Sequence, residues 1–208
     1  LRVAAERDCP LVFTHHTMYE AYTHYVPGDS PALKRFVVEL STSYANSCDQ
    51  VFAPSESVAE LLRGRGVDTP LEVVPTGIDA AAFDGADGAG FRAEQGIPAA
   101  ARVIGHVGRL AEEKNLDYLA AAMVAATAAD PRVHCLVVGD GPAAGRIDER
   151  FDEAGLSARL HRPGALQGRE LAGAYAAMDV FGFASLTETQ GMVLAEAMAA
   201  GVPVVALD

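Results

Sequence analysis

The sequence predicts an α/β protein built on parallel sheets, and three observations carry that expectation. From Val103 to Ala184, short apolar runs alternate with helical stretches in a βαβ rhythm, which places parallel strands in one sheet covered on both faces. Glycine turns punctuate the passage from strand to helix at Gly108 and Gly139, and Gly164 closes a further strand. Between Ala80 and Ala101 the composition shifts to Ala, Gly and Asp, which marks a boundary between two domains. The expected division is residues 1–79, a linker over 80–101, and a second domain over 102–208.

In chain order, Leu11–Thr14 reads as a short buried strand. It runs into the titratable and aromatic stretch His15-His16-Thr17-Met18-Tyr19-Glu20-Ala21-Tyr22-Thr23-His24-Tyr25. Adjacent histidines rarely converge on one ion and no Cys, Asp or His spacing completes a site, so a polar loop at the carboxyl end of a strand is the reading. Ser30-Pro31 opens a helix with Ser as N-cap and Pro at its first position. Its stripe Leu33, Phe36, Val37 and Leu40 is expected in the core, with a membrane-surface helix as the alternative because Lys34 and Arg35 flank it.

Gln50–Ala53 is the next strand, and Ser57 with Glu60 reads as a capping box for the helix through Leu62. A strand over Leu71–Pro75 follows, and a short helical piece lies around Phe91–Gln95. Strands are then expected at Val103–Val107, Val133–Val138, Ala158–His161 and Val180–Ala184, and helices at Leu116–Ala129, Ala143–Ala154 and Arg169–Met178. A last helix opens near Gly191, and Gly201-Val202-Pro203 turns it into a final strand.

A formal net charge of -12 argues against a general nucleic-acid binder and against a broad basic membrane patch. Cys9, Cys48 and Cys135 lie far apart without metal-type spacing, which suits a reducing cytoplasm. No apolar run reaches transmembrane length and no signal peptide opens the chain. The first residue is Leu and the text starts in mid-pattern, which reads as a fragment.

Chemistry concentrates where strands end. Gly108-Arg109-Leu-Ala-Glu112-Glu113-Lys114-Asn115 follows a strand and opens a helix, so backbone amides, two cations and the helix dipole all favour a diphosphate. The bland reading is a surface turn whose glutamates neutralise its cations. Val138-Gly139-Asp140-Gly141 lacks the third glycine of a dinucleotide fingerprint, since Ala144 stands in its place. Glu196 has apolar neighbours at helical spacing, Met192, Val193, Ala199 and Ala200. It therefore reaches a solvent edge of its helix or hydrogen-bonds a polar ligand such as ribose hydroxyls.

Glu188-x7-Glu196, with Thr189-Gln190-Gly191 between and Ala-Gly-Val-Pro after, resembles the donor-site signature of retaining glycosyltransferases of family 4. The resemblance implies the GT-B fold, two Rossmann-like parallel-sheet domains, the first incomplete here and the second slightly truncated. It implies that Glu188 touches the donor sugar and Glu196 the nucleotide ribose. The family motif G-R-L-x-x-E-K-N matches Gly108–Asn115 residue for residue, so Arg109 and Lys114 would neutralise the leaving nucleoside diphosphate. Gly139 would line the donor pocket, and the strand end at Arg162 would lend backbone contacts to the base.

The stretch Thr14–Tyr25, taken with Glu188–Gly191, is similar to the diacylglycerol glucosyltransferase branch, which moves glucose from UDP-glucose onto a membrane lipid. His16 would then reach the donor sugar by hydrogen bonding or by easing proton movement, without acting as a nucleophile. His16, Arg109, Lys114 and Glu188 are the expected catalytic group. Gly108, Gly139, Arg162, Thr189, Gln190, Gly191 and Glu196 complete the donor contacts.

No Asp-x-Asp motif is present, so neither metal nor cofactor is expected beyond the UDP-sugar substrate. The implied partners are the nucleotide sugar and a lipid or glycan acceptor, and the implied place is the cytoplasm at the inner face of the cell membrane. Two alternatives stay open: a phosphatidylinositol mannosyltransferase or other glycan-acceptor enzyme, and a non-catalytic nucleotide-binding module.

Overall fold

A computed structural model gives the fold and describes residues 2–25, 27–185 and 187–207; the side chains of Ala5, His24 and Tyr25 lie outside it. The chain forms two compact units, one of Leu1–Gly77 with Thr187–Gln190, the other of Ile78–Leu186 with Gly191–Asp208. Both are built on parallel strands, as the alternation of elements requires.

In the first unit, helix α1 (Arg2–Arg7) precedes strand β1 (Val12–Thr14), and a 3-10 helix spans Tyr19–Tyr25. Helix α2 (Pro31–Ala45), strand β2 (Gln50–Ala53), helix α3 (Glu56–Gly64) and strand β3 (Leu71–Val73) follow, with the sheet ordered β1-β2-β3. Val51 and Ala53 of β2, Val58, Ala59 and Leu62 of α3, and Ala45 of α2 make its core.

Helix α2 starts as its sequence demands: Ser30 Oγ accepts from the Leu33 N–H at 3.2 Å and Pro31 takes the first position. Its apolar stripe is a correction. Phe36 and Leu40 are 58% and 57% exposed, and Tyr44 continues their row on the surface. The inward row is Leu33, Val37, Ser41 and Ala45, the adjacent set at i+4 spacing, because only Ala45 is close enough to β2 and α3 to join the core. The cap of α3 is a second correction. Ser55, with extended backbone, accepts from the Val58 N–H at 3.4 Å, so the helix begins two residues earlier than a Ser57–Glu60 box allows.

In the second unit a 3-10 helix (Ala80–Phe83) and helix α4 (Gly88–Glu94) lead into β4 (Arg102–Val107), α5 (Leu116–Ala129), β5 (Val133–Val138) and α6 (Ala144–Glu153). Then come β6 (Leu160–Gly164), α7 (Gly168–Ala176), β7 (Val180–Phe183), α8 (Met192–Ala199) and β8 (Val204–Ala206). Strand β6 starts later than expected, since Ser157–Arg159 is a 3-10 turn. The stretch expected as a linker is folded: Phe91 and Ile97 enter the core with Tyr175 and Phe181, and Arg92 Nε donates to Ala177 O at 2.8 Å.

The five strands run in the order β6-β5-β4-β7-β8. The chain starts at the centre, winds outward to β6, then crosses to β7 on the other side of β4. The carboxyl ends of β4 and β7 therefore flank a topological switch point, where open α/β sheets bind ligands. Cover on both faces is incomplete at the β7–β8 end, a further departure from expectation: Val205 of β8 and Tyr118 of α5 stay exposed beside an apolar groove.

Cys9 is exposed and Cys48 and Cys135 are buried, all three as free thiols. Among the described residues no helix is long and apolar enough to cross a membrane.

The surface place of the Phe36–Leu40 row of α2 can be tested by unfolding in urea, with a core residue of α3 as the reference. Leu62→Ala, in the core, should cost about 2–5 kcal/mol, whereas Leu40→Ala should change stability by less than about 1 kcal/mol. Equal losses at the two positions would return the Phe36–Leu40 row to the core.

Candidate functional site

Beside the switch point, the ends of β4, β5 and β6 form one edge by close contact. The Gly108 N–H donates to Val138 O at 3.0 Å, the Leu110 N–H to Asp140 O at 2.9 Å, and the Ala143 N–H to Leu110 O at 2.8 Å. The Gly139 N–H donates to Gly164 O at 2.8 Å, which joins the end of β6 to the same edge. A Cβ on Gly139 would stand 1.9 Å from Gly108 O, and the backbone there has φ 129°. Only glycine fits both the space and the conformation.

On this floor sits the turn from Gly108 to Asn115. Leu110 and Ala111 are buried and anchor it, Glu112–Lys114 forms a 3-10 turn, and Asn115 in the left-handed region opens α5. The Arg109 guanidinium is exposed and lies 3.8 Å from Glu113 Oε1. Glu112 is drawn instead to Arg146, at 2.8 Å. The loop leaving β7 reaches the turn through Ser185 Oγ, which donates to Glu113 O at 3.3 Å. Two cations on a turn ahead of a 14-residue helix favour an anion by charge, by donor geometry and by dipole.

Beneath the turn lies His106, buried on β4 and stacked on Phe181 at 5.9 Å. Its Nδ1 is 3.0 Å from Gly182 O. A carbonyl only accepts, so Nδ1 carries the proton and Nε2 is bare. Burial holds this imidazole down to about 4, with the charge of Lys114 acting in the same direction.

At the start of α8, Gly191 is the left-handed N-cap. One turn further on, Glu196 is half-buried and accepts from the Tyr175 hydroxyl at 2.7 Å. Burial, then the bond to this carboxylate, pushes the Tyr175 phenol far up, so it stays a donor. Arg162 spends its side chain on α6, donating to Ala144 O at 2.8 Å and pairing with Asp148, so only its backbone stands at the strand end.

In the first unit, His16 is exposed at the carboxyl end of β1. Gln190 Nε2 donates to His16 Nδ1, which leaves the ring proton of the neutral imidazole on Nε2. Thr189 Oγ1 donates to His16 O at 2.9 Å and Ser55 Oγ to Thr189 O at 3.2 Å, so these bonds clip the Glu188 loop onto β1 and α3. Its neighbour His15 is buried between Phe13 and Tyr19, in edge contact with both.

Gly108, Arg109, Lys114 and Gly139 thus share one edge of the second unit, Glu196 stands on α8 of that unit, and His16, Glu188, Thr189 and Gln190 belong to the first. Sequence reasoning missed His106 and Tyr175. The one available signal was position: His106 lies two residues before Gly108, so in a strand it points to the same face.

Residues 101–208 match the family model described as glycosyl transferases group 1, and residues 1–82 match that of glycosyltransferase family 4. An alpha-monoglucosyldiacylglycerol synthase of Streptococcus pneumoniae is 30% identical over 98% of this chain and 47% of its own length. A D-inositol 3-phosphate glycosyltransferase of Segniliparus rotundus is 32% identical over 95% of this chain and 45% of its own. The chain spans about half the length of the curated relatives it matches. Among solved structures, Anabaena HepE in complex with UDP and glucose superposes with a TM-score of 0.81, at 23% identity, over 99% of this chain and 55% of that one.

Two outcomes follow from the geometry. Gly139→Ala should cost more than about 1 kcal/mol in urea unfolding and weaken anion binding, whereas Gly145→Ala, in open space near the start of α6, should be neutral or gain up to about 1 kcal/mol. The pH response follows from His106. Its folded pKa lies below the ordinary 6.5, so its contribution is complete above that pH and is lost as pH falls from 6.5 toward 4, because the unfolded chain takes up the proton first. His134 and His161, stacked on one another and also held low by burial, add to the same slope. Unfolding measured across this window should show roughly 3 kcal/mol less acid loss in His106→Gln than in the wild type.

Proposed function

This chain belongs to the group 1 glycosyl transferases, and we propose that the whole protein is a retaining enzyme that moves glucose from UDP-glucose to a lipid acceptor such as diacylglycerol. Its fold is of the GT-B type. The observation that carries the reading is the placement of Arg109 and Lys114 on a glycine-floored turn at the switch point of the second unit.

In this reading the diphosphate lies on that turn, against the first amides of α5. As the bond from sugar to diphosphate breaks, negative charge grows on the departing oxygen, and Arg109, Lys114 and those amides stabilise it. The sugar becomes oxocarbenium-like, and an acceptor hydroxyl attacks the face the diphosphate leaves, giving its proton to the departing diphosphate oxygen. Glu196, fixed by Tyr175, takes the ribose hydroxyls, and Glu188 holds the donor sugar. His16 presents an Nε2–H, oriented by Gln190, that can hydrogen-bond a sugar hydroxyl. Gly139 lines the pocket, and the backbone at Arg162 faces the base.

The glucosyldiacylglycerol relative supports a glucosyl group and a diacylglycerol acceptor. A further support is α2, where the exposed row Phe36, Leu40 and Tyr44 lies beside Lys34 and Arg35, a combination that suits contact with the inner face of a membrane. The inositol phosphate relative favours a second reading, a polar phosphorylated acceptor at the same donor site.

Calorimetric titration of UDP, GDP and NAD tests the donor site. UDP should bind, and both Arg109→Ala and Glu196→Ala should weaken it by about 10-fold or more. Binding of NAD in place of UDP would overturn the proposal. With UDP-glucose supplied to the whole protein, glucosylated diacylglycerol is the expected product, and product on inositol phosphate alone would select the second reading.

A further inference from the structure

We propose that Tyr175 is a positioning residue that gives the donor site its selection for a nucleotide with free ribose hydroxyls: its own hydroxyl holds Oε2 of Glu196, so that Oε1 stands as a preset acceptor for them. The inference deepens the donor-site reading and rests on it.

The bond is made within the second unit and between groups that are held in place. Tyr175 Oη donates to Glu196 Oε2 at 2.7 Å. Val193 O, 3.4 Å from the same hydroxyl, is the weaker of its two acceptors, since a carboxylate at shorter range makes the stronger bond. Tyr175 is 0% exposed. Its ring meets Phe83 edge-on at 5.6 Å and Phe181 at 5.9 Å, so the 3-10 helix Ala80–Phe83 and strand β7 decide where the hydroxyl stands. Burial and the neighbouring carboxylate keep the phenol protonated, and a phenol has one proton to give.

Glu196 lies where that packing meets solvent. It is half-buried, and its Oε1 meets no hydrogen-bond donor among the described residues. A carboxylate that turns freely loses that freedom when a ligand binds, whereas one held from behind by a buried phenol has lost it already. The same fixing makes the site selective. An acceptor preset for a hydroxyl rejects the analogue that lacks it, because the desolvated oxygen is then left unpaired. Water still reaches a half-buried group, so the discrimination is expected on the order of 10-fold, far below that of an enclosed site.

Calorimetry on the whole protein with UDP and with 2′,3′-dideoxy-UDP tests the role. The wild type should bind UDP about 10-fold more tightly than the analogue. Tyr175→Phe keeps the packed ring and removes the hydroxyl. It should lose about 5-fold in UDP affinity while dideoxy-UDP stays within about 2-fold, so that the two nucleotides become nearly equal. Because Tyr175 acts through Glu196, adding Tyr175→Phe to Glu196→Ala should change neither affinity further. A tyrosine that only supports the fold would lower both nucleotides by one factor. That result, losses that multiply in the pair, or a wild type that binds both nucleotides alike would overturn the role of Tyr175 alone. A wild type that takes up neither nucleotide would instead remove the donor-site reading and this inference with it.

Discussion

A carbonyl oxygen at Gly108 occupies the place where any side chain at position 139 would begin, 1.9 Å from its Cβ. The rest of the second unit's working edge depends on that approach. It lets β4 and β5 keep their hydrogen bonds to the last residue and beyond, through Gly108 to Val138 and Leu110 to Asp140. It also brings the end of β6 into register through Gly139 and Gly164. A floor of paired backbone is stiff, because each of its polar groups is satisfied by another strand end and not by solvent. Arg109 and Lys114 follow that floor on the Gly108–Asn115 turn, whose backbone the buried Leu110 and Ala111 anchor.

Local signals made most of the second unit legible. Helix Leu116–Ala129 and strand Val133–Val138 have the bounds the sequence suggested, since their apolar runs are long and their ends are marked by turn residues. The first unit was harder. Helix α2 carries two apolar rows at neighbouring angles, and its periodicity fits either. Only the place of Ala45 against β2 and α3 decides that Leu33 and Val37 face inward while Phe36 and Leu40 do not. In the same way Ser55 and Ser57 are both good caps, and the extended backbone at Ser55 makes the choice.

The candidate site divides along the same line. Cations and glycines next to one another in sequence were legible, because a turn of eight residues is local. Partners brought together by the sheet were not. His106 meets Gly182 across 76 residues and Tyr175 meets Glu196 across 21, and neither pairing leaves a spacing that sequence can read. Tyr175 fixes the carboxylate of Glu196, and His106 lies under the Gly108–Asn115 turn.

A chain of net charge -12 can present a cationic spot only if its own carboxylates are kept away from it. The second unit does this by pairing. Arg146 takes Glu112 at 2.8 Å and Asp117 at 3.3 Å, and Arg162 takes Asp148, so three carboxylates near the edge are matched by arginines that carry no ligand themselves. Beyond roughly 8 Å the other surface charges are largely screened at physiological salt. The field at the turn is therefore set by its nearest members, Arg109, Glu113 and Lys114, and by whether the ring beneath them is charged. Since burial keeps His106 neutral over the ordinary pH range, the ring beneath the turn adds no charge of its own to that set.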